Sequence, residues 1–411
     1  MSTFSGELCR LLAERGMSQR ELARRANYDC GFVNKLCRGT RPATPEVARR
    51  LDEVLDAGGA LMALVNRRQV LAGAAAIAGM PLLGALDADA QERLTWAQRH
   101  PPRIDPSAVD VLADLLAAQY RADDLFGSAV TLQPTMAHIA AVENILKQAR
   151  GPVRPSIVDV AQQWAQFAAY QHRQIGAGAG DRARLAQALE WATEIGDRTM
   201  TATVLINRGE AALLAGDAGT VTGLAQAARL DMAAAIGTRA HAADLEARGH
   251  AMAGDAAAAE RCLGDAAELA AMLPPSSRAR TRWTCRHDRH PWLYWLSSTD
   301  MHCKRGVSFG YLAADPRYRD LAVAELEGGY AALPEEQRLT AWAAKYPAYL
   351  AVVHNRAGDI DQACARALQV AEIARRTGPS LAQRLARQVR VDVQARYPNH
   401  ARVAELAEAL R

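Results

Sequence analysis

Five times between residues 180 and 360, a small residue and an aspartate follow an apolar stretch and precede an alanine-rich one. The sites are Gly180-Asp181, Gly216-Asp217, Gly254-Asp255, the degenerate Ala314-Asp315 and Gly358-Asp359, at intervals of 36, 38, 60 and 44 residues. A turn recurring at that period makes each intervening segment a helix-turn-helix unit, which buries its apolar face against the next unit. A chain built this way is a helical solenoid or, failing strict repetition, an irregular helical bundle. Alanine runs such as Ala256 to Ala259 and an aromatic content of 5% favour helices over strands, so the chain is predicted to be all-α.

The first 65 residues follow a different rule. Residues 1–70 hold 12 Lys and Arg against 8 Asp and Glu, and the remainder holds 37 of each, so the whole excess of +4 sits at the N-terminus. A basic head on a neutral body points the head toward a polyanion. Leu8, Leu11 and Leu12 predict a first helix that stops at Gly16. Ser18-Gln19-Arg20-Glu21 reads as a capping box in front of Leu22 and Ala23. Asp29 can cap a third helix from Cys30 to Cys37, and Thr44-Pro45-Glu46 opens a fourth.

Ser18 to Ala23, Val33, Leu36, Arg38-Gly39 and Pro42 together resemble the Cro/Xre-type repressor domain over about 55 residues. Asp29 and Cys37-Arg38 depart from residues frequent in that family. The resemblance implies a recognition helix in the DNA major groove, with Asp29, Cys30, Gly31, Phe32, Asn34 and Lys35 facing base edges. Asn34 would pair with adenine, Lys35 with guanine or phosphate, and Phe32 with a thymine methyl. Gln19, Arg20, Arg38 and Arg41 would position the domain on phosphates. A protein-docking module with a solvated basic face is the competing reading. Cys30 and Cys37 read as small apolar residues rather than redox sensors.

Behind the head, Arg67-Arg68 and an apolar run to Leu86 look like an export signal, but their place behind a folded domain argues against export. The run is also short and glycine-rich for a bilayer span. We read 66–104 as a linker for packing or dimerisation, and residues 105–411 as the repeat body. Gly209, seven residues before Gly216, and the stripe Ala363, Ala367 and Ala371 are similar to the small-residue positions of tetratricopeptide repeats. A repressor-type head on such a body resembles actinobacterial helix-turn-helix regulators and Gram-positive peptide-pheromone sensors. That resemblance implies a concave face that takes a peptide, small molecule or protein effector.

The repeat phase puts His241, Asp244, Arg248, Lys345, Asn355 and Arg356 on the inner face. The long interval contains an insertion, residues 274–303, rich in Trp, Tyr and Arg; Trp292 and Trp295 offer stacking surfaces for an effector. Cys285, His287, His290 and either His302 or Cys303 are suitable zinc ligands, although their spacing matches no zinc-finger pattern. No P-loop, dinucleotide fingerprint, H-E-x-x-H or G-x-S-x-G occurs, so neither enzymatic chemistry nor a cofactor is expected. Seven scattered cysteines and no leader at Met1 suggest a cytoplasmic protein without a membrane anchor. The expectation is a homodimeric regulator of transcription that binds double-stranded DNA. The rival is an adaptor whose head docks on protein.

Overall fold

The computed structural model describes residues 4–38, 43, 45–57, 61, 106–273 and 298–410. The chain divides into two compact units, Met1–Asp87 and Ala88–Arg411. The apolar segment expected over 66–104 lies outside the described residues. So do Arg41 and the part of the insertion that carries Cys285, His287, His290, Trp292 and Trp295.

In the first unit, helices α1 (Phe4–Glu14), α2 (Gln19–Ala26), α3 (Cys30–Cys37) and α4 (Pro45–Leu55) enclose a core of Leu8, Leu22, Val33, Leu36, Leu51 and Leu55. Local chemistry sets each boundary. Gly16 takes φ +58° just after α1, and Asn27 ends α2 in the left-handed region. The Ser18 hydroxyl accepts from the Glu21 amide at 3.1 Å, which is half of the expected capping box. The Glu21 carboxylate does not complete it but takes Arg24 and Arg25, each at 2.7 Å. Two guanidiniums one turn along the helix offer that carboxylate charge as well as hydrogen bonds, where the cap amide offers only a hydrogen bond.

The second unit is a stack of helix pairs. Their first members are α5 (Pro106–Phe126), α7 (Arg154–Gln174), α9 (Arg198–Ala215), α11 (Ile236–Met252), α13 (Ser298–Tyr311), α15 (Lys345–Ala357) and α17 (Leu381–Arg396). The second members are α6 (Ser128–Gln148), α8 (Gly178–Ile195), α10 (Ala218–Leu230), α12 (Ala256–Ala271), α14 (Pro316–Ala331), α16 (Ile360–Thr377) and α18 (Ala401–Ala409). Each first helix packs on the next first helix as well as on its own partner, which gives an inner layer and an outer one. Among the described residues no helix is long and apolar enough to cross a membrane.

The recurring turns work as their chemistry requires. Gly216, Gly254 and Gly358 adopt φ of +78°, +83° and +78°, and the aspartate after each caps the next helix through the amide of Thr220, Ala258 or Gln362. Asp315 caps α14 in the same way without a glycine. The expectation for Gly180-Asp181 requires correction, because both residues lie inside α8 and the turn falls at Gly176, φ +84°. Gly180 is small for another reason: a Cβ there would collide with the His172 ring. A further Gly-Asp turn, Gly196-Asp197, ends α8 and caps α9. Gly209 sits at a helix crossing, where a Cβ would come within 2.8 Å of Leu245 on α11.

The two ends of the stack meet. Arg384 of α17 donates to the carbonyls of Gln174 at 2.7 Å and Arg173 at 3.0 Å on α7, more than 200 residues earlier. The Gly127 backbone lies so close to the Thr377 carbonyl that an added Cβ would sit 2.5 Å from its oxygen. The first helices therefore surround a common interior.

Candidate functional site

On the head, α3 turns Val33 and Leu36 into the core and leaves Cys30, Gly31, Lys35 and Arg38 exposed. Gln19 and Arg20 open α2 beside this face, and Arg20 is exposed. Asn34 donates through Nδ2 to Gln19 Oε1 at 3.1 Å, so the two amides form one polar unit that ties α2 to α3. Asp29 spends its carboxylate as the cap of α3, accepting from Gly31 at 2.8 Å and Phe32 at 3.2 Å. Phe32 is half-buried against Tyr28, with ring centroids 5.2 Å apart, and belongs to the edge of the core. The Cys37 thiol is pushed up to about 12 by burial and by Cys9 beside it, so it stays protonated and packs as an apolar group.

In the body, each first helix from α5 to α17 sends residues to one cavity of about 230 Å³. Among the described residues no second helix of a pair lines it. One wall, from α5, α7 and α9, is built on two buried hydrogen-bond networks. Asp123 accepts from Thr131, Gln171 and Ser128, and burial raises its carboxyl despite these donors. Arg173, with 5% of its side chain exposed, donates to Asp181 at 3.1 Å, Asn207 at 2.7 Å and Glu210 at 2.7 Å. Burial alone would raise Glu210, but Arg173, His241 and Arg248 together outweigh it and hold the carboxyl well below the usual range.

The other wall, from α11, α13 and α15, is basic and aromatic. Arg248 and Lys304 both donate to one oxygen of Asp244, at 2.6 and 3.0 Å. The other Asp244 oxygen and the Arg248 Nε are buried without a hydrogen-bond partner. Lys304 is pushed down to about 8, chiefly by burial, with Arg248 and Lys345 adding to the effect and Asp244 opposing it. Lys345 Nζ lies 5.6 Å from the Trp342 ring centre and 5.1 Å from that of Tyr346. His241, 3.4 Å from Glu210, is held to about 4 by burial and by Lys304, so at neutral pH it is uncharged.

Three of the residues expected on the inner face, His241, Arg248 and Lys345, line this cavity, and Asp244 lies directly behind two of its cations. Asn355 and Arg356 do not line it. Asn355 donates to Asp392 and accepts from Arg396, joining α15 to α17, and Arg356 donates to the Gly310 carbonyl at 2.6 Å. They stand at the C-terminal end of α15. Cys303 lines the cavity wall, whereas its neighbour His302 points outward to Glu325 at 2.7 Å. The sequence reading missed Tyr120, Tyr170, Arg173, Glu210, Lys304 and Tyr349. Their common signal is position on a first helix.

Glu246, His250 and Cys262 bring three possible metal-ligand atoms within 4.8 Å of one another on α11 and α12. Arg229 already occupies Glu246 at 2.5 Å, and burial raises the Cys262 thiol to about 11.

Residues 4–65 match the family model described as a helix-turn-helix domain. Comparison with curated proteins and with solved structures finds no match for the chain. The match covers all four helices of the head, with its caps and its exposed α3 face, and the N-terminal unit is a helix-turn-helix DNA-binding domain.

Proposed function

We propose that this protein is a sequence-specific regulator of transcription whose repeat body binds an effector that modulates DNA binding. The observation that carries the reading is the pairing of a helix-turn-helix head with a body whose every first helix faces one cavity. Cavities of this kind, apolar and aromatic with a few placed charges, suit small molecules or short peptides. On the head, Lys35 and the Gln19–Asn34 unit are the groups for base edges, while Arg20 and Arg38 suit phosphates. A homodimer follows from the usual need of such heads for two half-sites. The body takes no part in chemistry on this reading, and the protein is a binder rather than an enzyme.

The test is fluorescence anisotropy of the full chain on the DNA upstream of its own gene and on a scrambled duplex. We expect preference for the first, and affinity that falls steeply with salt. Lys35→Ala should cost about 1–3 kcal/mol and relax the preference, whereas Arg20→Ala with Arg38→Ala should lower the log–log salt slope by about 2. Equal and salt-insensitive binding to both duplexes overturns the reading in favour of an adaptor. Sedimentation of the complex gives the stoichiometry on DNA.

A further inference from the structure

We infer that the groove between α11 and α12 binds one divalent transition-metal ion of the zinc class, through Glu246, His250 and Cys262. None of the three lines the cavity, so the inference stands apart from the effector reading. Glu246 and His250 lie one turn apart on α11, and Cys262 comes from the facing α12, so the pairing of two helices brings the ligand atoms together. A tetrahedral ion with bonds of about 2.0–2.3 Å holds its ligand atoms roughly 3.3–3.7 Å apart. Here the three atoms lie within 4.8 Å of one another, and Glu246 Oε1 is 4.0 Å from His250 Nε2. Side-chain rotation covers the difference.

The donor set chooses the metal. A thiolate and an imidazole beside a carboxylate suit zinc and its stand-in cobalt, whereas magnesium and calcium take shells of oxygen. Arg229 on α10 holds Glu246 Oε2 at 2.5 Å and reaches Oε1 only at 3.3 Å, so the oxygen nearer His250 keeps lone-pair capacity for an ion. Ligating carboxylates are ordinarily held by such an outer partner, which fixes their orientation. The same guanidinium reaches Asp265 at 3.3 Å, one turn beyond Cys262 in the same groove.

The charges agree. Glu246, Asp265 and Glu268 line the groove against Arg229 and Arg261, which leaves one negative charge in excess. Burial and the Glu246 and Asp265 carboxylates push the Cys262 thiol up to about 11, with the two arginines opposing, so without an ion the thiol is protonated. Binding replaces the S–H bond by a metal–sulfur bond and releases the proton to solvent, with no change of oxidation state. A second negative charge then faces the two charges of the ion. Water takes the fourth position, because the groove opens on solvent.

The experiment uses the full chain, reduced and stripped with a chelator, then titrated with cobalt(II) and afterwards with zinc. We expect one cobalt per chain, with a thiolate-to-cobalt charge-transfer band in the near ultraviolet and the strong visible absorption of a four-coordinate ion, both abolished by zinc. Cys262→Ser should remove the charge-transfer band, and His250→Ala should weaken binding at least about tenfold. His250 is only half-buried, so its variant decides the matter even where Cys262→Ser fails to fold. Replacing Cys285, His287 and His290 together removes the other candidate ligands and should leave the spectrum unchanged.

Zinc should also raise the melting temperature of the parent chain and not that of His250→Ala. Absence of the charge-transfer band, its retention in Cys262→Ser, undiminished affinity in His250→Ala, or loss of the spectrum in the triple variant overturns the site. Weak uptake of several ions per chain without the band means an adventitious ion only, and overturns it as well.

Discussion

The head wears its ion pairs on the outside, whereas the body, beside surface pairs such as Arg402–Glu405, buries some of its own. Arg10 with Glu7 and Glu14, Arg24 and Arg25 with Glu21, and Arg49 and Arg50 with Glu53 are all pairs three or four residues apart on exposed helix faces. Such pairs contribute little to stability and remain free to exchange partners, as a surface that meets a polyanion requires. In the body, Arg173–Asp181 and Lys304–Asp244 are nearly inaccessible; the first joins the two helices of one pair, and the second joins the first helices of different pairs. A buried charge costs its hydration, so it persists where its partners are complete or where a ligand completes them. The difference separates a unit that recognises charge from one that is arranged around it.

The sharpest way to break this contrast is to remove one partner from each set. Arg173→Ala leaves buried Asp181 and half-buried Glu210 without their cation and should destabilise the body by about 3–5 kcal/mol in urea unfolding. Arg24→Ala on the head should cost below about 1 kcal/mol by the same measurement. Equal costs would erase the distinction.

A smaller effect comes from acid. Folded His241 is held to about 4, below the ordinary 6.5, so between these values the unfolded chain binds a proton that the folded chain does not. Stability is therefore lost as the pH falls from about 6.5 to 4, by up to about 3 kcal/mol for this residue. Buried His138, also held to about 4 by burial, acts in the same direction. His241→Gln should flatten the unfolding free energy over that range, while the head, which has no histidine in its described helices, keeps its own profile.

The smallest effect lies at the cap of α3. Asp29→Ala should cost about 1 kcal/mol of head stability, whereas Asp29→Asn keeps the cap and removes a negative charge from the DNA side. The asparagine variant should then bind DNA more tightly in the anisotropy assay with little change in unfolding.

Local features were legible in the sequence. Ser18, Asp29, Gly216-Asp217 and Gly358-Asp359 act through neighbours within four residues, and the side chain itself states the geometry. The misreading at Gly180 has a similar explanation, because glycine before aspartate looks alike whether it makes a turn or admits the His172 ring. Long-range groupings were legible in part. Helical phase alone placed His241, Arg248 and Lys345 inward. It did not bring Arg173 to Glu210 or Lys304 to Asp244, since those meetings depend on how successive pairs rotate. The Gln19–Asn34 bond was hidden in the same way, and it turns two separately expected DNA contacts into one unit.

The closure of the stack through Arg384 has a consequence for the order of events during synthesis. An open array can add units one at a time, but a contact spanning some 210 residues forms only when both partners exist. The head, complete within its first 65 residues, can fold and read DNA while the ribosome is still making α7. The cavity does not exist at that stage. A nascent or truncated chain is thus a helix-turn-helix head without the cavity, which arrives all at once, with α17.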